Sequence, residues 1–241
     1  MGPDMQVQPP EARVEPARRS LTWIPIALAL LTAGVLSLVA GVIHWWDPCV
    51  TDGFDFAECI TRQDDSSALT GFTVLPNDQH HAAIMLASSN LVIGLLWFSL
   101  VLVGKRSLAG RVVTSISGVY LVAAALPNLS WHAQGQVLLG NPQNMGALLW
   151  PVLILPILAA VLMWRPGEPR LGLLIIGLLA GSPLGLWVDY FFWSMIYSSH
   201  DTPPGAGWAQ ASAYLVTGVG ILYLTLTRYI HAGASQKLTD A

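Results

Sequence analysis

Two cysteines, six histidines and one carboxylate inside an apolar run are the residues of this chain whose types could do chemistry. Cys49 and Cys59 share one polar stretch, ten positions apart. An even count at close spacing points to a disulfide in a compartment that permits one. A redox-active pair and a metal site are the other uses of two cysteines, although the CxxC spacing of redox motifs is absent. His44, His80, His81, His132 and His200 all fall at or just beyond apolar-run ends on the acidic side of the chain, and only His231 falls on the other side. Met85 follows His81 by four residues, which places both on one helical face. Imidazole suits copper, iron and zinc, and thioether suits copper(I). His44, His80, His81, Met85, His132 and His200 are therefore candidate ligands for copper or haem. Histidine also gathers at membrane interfaces without binding anything, and no HxxxH run occurs.

Asp189 is the one acid embedded in an apolar run. At about 1.5 Å per residue from Arg170 it lies ~28 Å up a ~30 Å hydrocarbon core, close enough to the boundary to reach water. Tyr190 and Trp193 flank it, and Ser88, Ser89 and Asn90 interrupt an earlier apolar run. Polar groups in hydrocarbon must find partners in the bundle interior. Ser88, Asn90, Asp189, Tyr190 and Trp193 are thus candidates for a polar cavity or ligand site, with plain structural bonding as the simpler reading. No glycine-rich phosphate loop, HExxH or GxSxG is present, so nothing local signals catalysis.

The elements that must position these residues follow from composition. Of 241 residues, 54% are hydrophobic and 10% charged, against roughly 25% charged in soluble chains. Apolar runs cover 21–43, 82–103, 112–130, 146–164, 171–193 and 210–227. Each approaches the ~20 residues that cross a bilayer. The expected fold is all-α, a polytopic transmembrane bundle of six helices. Residues 1–20, with four prolines and mixed charge, read as a disordered cytoplasmic tail. A transmembrane domain then covers 21–230, with a long outer loop at 45–81 and a second cytoplasmic tail at 231–241.

Charge tests that division. With both termini cytoplasmic, every lysine and arginine except Arg62 falls inside, while Asp47, Asp52, Asp55, Glu58, Asp64, Asp65, Asp78 and Asp201 fall outside. The expected location is the cytoplasmic membrane. The first run is too long for a signal-peptide core, which favours an uncleaved anchor. A net charge of −3 with no basic face excludes nucleic acid as a partner.

Gly177, Gly181 and Gly185 recur every four residues in the fifth run. Such spacing lets helices approach closely, within the chain, across a homo-oligomer or against another subunit of a membrane complex. Pro151, Pro156 and Pro183 each remove a helix donor and can kink a span. Trp45, Trp46, Trp131, Trp187, Trp193 and Trp208 suit an aromatic belt at the outer interface.

Asn90 and Gly94 in the second run, Gly118 with Ala125-Leu126-Pro127 and His132 in the third, and Gln210 opening the sixth carry a resemblance. The order of features resembles prokaryotic six-helix membrane proteins of unknown function, distantly similar to DRAM-type proteins. The resemblance implies six helices and no established activity. The long two-cysteine loop departs from the short first loop of that pattern.

The reading these features favour is a membrane protein without catalysis of its own. It would bind a small apolar or amphipathic ligand, or act as an accessory subunit. An outer-face copper or haem protein is the alternative, and a transporter or pH sensor resting on Asp189 and the histidines is a third.

Overall fold

A long uncharged run in hydrocarbon satisfies its backbone only by closing every bond within itself. The run that opens at Trp23 accordingly forms a helix, α1 (Trp23–Trp45). The computed structural model describes residues 21–46, 49, 57–65, 77–103, 108–135, 149–197, 205 and 207–239. A polar helix follows, α2 (Ala57–Asp65), then a short 3-10 turn at Asn77–Gln79 that leads into α3 (His80–Val103). Next come α4 (Leu108–Gln134), α5 (Leu149–Met163), α6 (Pro169–Ala180), α7 (Pro183–Tyr197) and α8 (Trp208–Thr239). Among the described residues the chain is all-α, with eight helices and no strand.

Four of these helices are long and apolar enough to cross a membrane: α1, α3 over His80–Leu102, α4, and α8 over Trp208–Ile230. The number is five if α6 and α7 count as one bent span. Multiple apolar helices of this length make a multi-pass membrane protein. The fourth expected span appears as α5, whose 15 residues reach only about 22 Å. Residues 146–148 of that expected span lie outside the described set.

The fifth run is not the single continuous helix expected over 171–193. It breaks between α6 and α7, whose axes differ by 65°. Pro183 has no N–H to donate, and proline disfavours helical geometry at the preceding Ser182. The break is bonded locally: the Gly181 N–H donates to Gly177 O at 3.2 Å, and the Ser182 hydroxyl to Leu179 O at 2.6 Å. Pro183 then opens α7, where a missing N–H costs nothing. At the other end of the chain α8 stays helical to Thr239, through most of the segment expected as a tail.

The most extensive packing is α3 on α4 and α1 on α8, joined by α1 on α3 and α6 on α8. Leu30, Ile93, Trp97, Leu100, Leu174, Leu178, Tyr214 and Ile221 are buried at their shared centre. Where α3 meets α4, a Cβ on Gly94 would stand 3.0 Å from Gly118 O, and one on Gly118 would stand 2.9 Å from Gly94 O. Only paired glycines allow that approach. By contrast α7 packs lightly, against α5, α6 and α8 alone among its main neighbours.

Candidate functional site at the capped end of the bundle

The end of α1 is closed by α2, which the chain folds back over it. Cys49 and Cys59 form a disulfide with a Cα–Cα distance of 4.9 Å. Both cysteines are buried with Trp45, and Trp208 of α8 packs against the group. The bonded sulfurs leave neither cysteine as a free thiol to ligate a metal. Arg62 completes the cap. Its side chain is 13% exposed and reaches Glu58 at 3.5 Å and Asp78 at 3.1 Å. The single base on the acidic side is thus spent tying α2 to the turn before α3. Its isolation among carboxylates was the sequence signal for that role.

The histidines divide between two neighbouring contacts. His44 is fully buried, edge-on to Trp45 with ring centroids 4.3 Å apart. Its Nδ1 lies 2.5 Å from Gln79 Oε1, and because that oxygen can only accept, Nδ1 carries the proton. Gln79 is itself 2% exposed. Sequence reasoning passed over Gln79, since glutamine before a histidine pair carries no distinctive pattern. His80, one residue further, meets His132 at the end of α4 with Nδ1 atoms 3.0 Å apart. His81 stands beside His80 at 5.4 Å between centroids and faces outward, with Met85 one turn along and half-buried. His200 lies outside the described residues. Among the described residues no three histidine, cysteine, aspartate or glutamate side chains are grouped to hold a metal.

Asp189 occupies a second part of this end. It is 3% exposed, yet its carboxylate accepts a hydrogen bond from the Gly207 N–H. The Ala209 main chain and the Trp193 indole also interact with it. The two main-chain donors belong to the start of α8, so Asp189 caps that helix from α7 and places negative charge at its positive pole. Trp193 crosses Trp208 edge-on at 6.1 Å, and Gly205, at φ +95°, lies flat beneath the Trp193 ring, where a Cβ would stand 3.2 Å from it. Tyr190 is half-buried against Phe191 at 5.8 Å.

The remaining candidates sit elsewhere. Ser89 donates to Ala33 O at 2.9 Å and pairs with Ser37 at 2.8 Å, bonding α3 to α1. Asn90 is buried and Ser88 half-buried on the same helix. Since α3 packs chiefly on α4 and α1, while α7 packs on α5, α6 and α8, the structure does not gather Ser88 and Asn90 with Asp189, Tyr190 and Trp193. Gly177 and Gly181 do make a close contact, and it is within the chain: they face Thr217 and Tyr214 of α8. Gly185 lies beyond the break, where a Cβ would strike the Ala180 carbonyl. Tyr214 is held in turn by the Gln210 amide at 2.8 Å.

Comparison with protein-family models, with curated proteins and with solved structures finds no match for this chain.

Proposed function

We propose that this chain is a six-span protein of the cytoplasmic membrane, with both termini cytoplasmic and no catalysis of its own, that engages an apolar or amphipathic ligand or a partner subunit. The observation that carries this reading is α7. Bent away from α6 and lightly packed, it exposes Trp187, Val188, Phe191, Phe192, Met195 and Ile196 next to the disulfide cap. The acid it bears is turned inward onto α8, so the outward face is wholly apolar. Native mass spectrometry of the protein extracted in mild detergent tests the proposal. Retention of a ligand or a second subunit, lost in a Trp187→Ala, Phe192→Ala double variant of unchanged melting temperature, is expected. A strictly monomeric, unliganded protein would sink it.

The His80–His132 contact favours a second reading, a redox or copper-handling protein. Two Nδ1 atoms 3.0 Å apart subtend about 90° at a metal ~2.05 Å from each, the angle of adjacent positions in tetragonal copper(II). Elemental analysis and the visible spectrum of purified protein separate the readings. Stoichiometric copper or a haem band supports this one, and absence of both ends it.

A further inference from the structure

The end opposite the cap carries a different kind of site. α6 and α8 run antiparallel, with Gly181 facing Tyr214, Gly177 facing Thr217 and Gly220 facing Leu173. Continuing that register toward the start of α6 brings residues 165–170 alongside Arg228, and the Arg170 and Arg228 charges act on one another. Arg165 lies just before the turn that leads into α6 and Arg170 in the first turn of that helix, and Arg165 reaches Glu168 at 3.6 Å. Glu168 is the one carboxylate among the described residues at this end, since Glu58, Asp64, Asp65, Asp78 and Asp189 all belong to the other. Among the described residues, these three guanidinium groups therefore share this end with one carboxylate.

Two indoles frame that corner. The Arg170 guanidinium lies over Trp23 of α1, 5.4 Å from the ring centroid. Trp164 lies across Gly172, where a Cβ would come within 3.3 Å of the ring. On the membrane side of the corner, Val161 of α5 and Ile176 of α6 are exposed. Charge at headgroup depth, indoles beside it and an apolar flank leading away match a lipid in outline. A guanidinium binds phosphate through paired N–H donors, and an anion between Arg170 and Arg228 relieves their repulsion.

We propose that Arg165, Arg170 and Arg228, framed by Trp23 and Trp164, bind the phosphate of an anionic phospholipid headgroup whose acyl chains lie along the exposed apolar residues of α5 and α6. The site is remote from the cap and from α7, so it stands or falls independently of the function proposed above.

Delipidated protein in a neutral detergent is titrated with phosphatidylglycerol or phosphatidylcholine, and bound lipid is read by native mass spectrometry. The wild type should retain phosphatidylglycerol about tenfold more strongly. Arg170→Gln with Arg228→Gln should bring the two lipids to parity. Arg228→Gln alone, at an exposed position, should lower the preference about threefold. Arg111→Gln, an exposed base at the same end on α4, should leave it intact. Equal retention of both lipids by the wild type, or undiminished selectivity in the double variant, overturns the proposal. Full displacement of phosphatidylglycerol by an equal concentration of inorganic phosphate would reassign the corner to a free anion and overturn the lipid.

Discussion

Asp189 buries a carboxylate on an otherwise apolar helix, and the first N–H groups of α8 make that tolerable. Removing the carboxylate leaves those donors without their acceptor. Asp189→Ala should therefore cost about 1–2 kcal/mol, while Asp189→Asn keeps an accepting oxygen and should lose less. Thermal unfolding in detergent measures both. An alanine variant that melts with the wild type would remove the capping role. Arg62 acts through two partners that are themselves largely exposed, at 62% and 64%. Solvent screens them, so Arg62→Ala should cost less than about 1 kcal/mol despite its prominence in the charge pattern.

Helices here are shaped by what their small residues permit. Gly94 and Gly118 bring α3 and α4 backbones into contact, so Gly118→Val must push the pair apart. A loss of about 1–3 kcal/mol in detergent unfolding is expected, with a similar loss for Gly94→Val. Tolerance of both changes would show that the helices can separate freely. The α2 cap depends instead on a covalent tie. Closing an 11-residue ring, from Cys49 to Cys59, removes loop entropy equivalent to about 2–3 kcal/mol. Cys49→Ser should lower the melting temperature while leaving insertion intact, because the spans and basic flanks determine insertion. On intact cells a membrane-impermeant maleimide should label the wild type only after reduction. Two thiols labelled without reductant would disprove the bridge.

At the scale of the whole molecule, proposed orientation and proposed binding sites separate onto opposite ends. The disulfide, the acidic α2 and the histidine contacts share one end, and the arginine corner shares the other. If the arginine end is cytoplasmic, alkaline phosphatase fused after Ala241 should be inactive, and the same enzyme inserted between residues 66 and 76 should be active. The reverse pattern would invert the molecule, and activity at both sites would change the span count.

The all-α, membrane-spanning character was legible from residue order alone, because hydrocarbon forces a long uncharged run into helix whatever it later touches. The cysteine pair was legible too, since two cysteines ten positions apart in one loop have few other fates. Span continuity was not: Pro183 marked a weak point, but whether it kinks or breaks a helix depends on the packing either side, and here the axes turn by 65°. Only the tertiary structure paired Gly94 with Gly118, aimed Gly177 and Gly181 at α8 rather than outward, and set Asp189 on the α8 start. Those are contacts between residues far apart in the chain. Apolar helices look alike to one another in sequence, and which face meets which neighbour is decided by shape at the interface, a property of pairs of helices that no single helix carries.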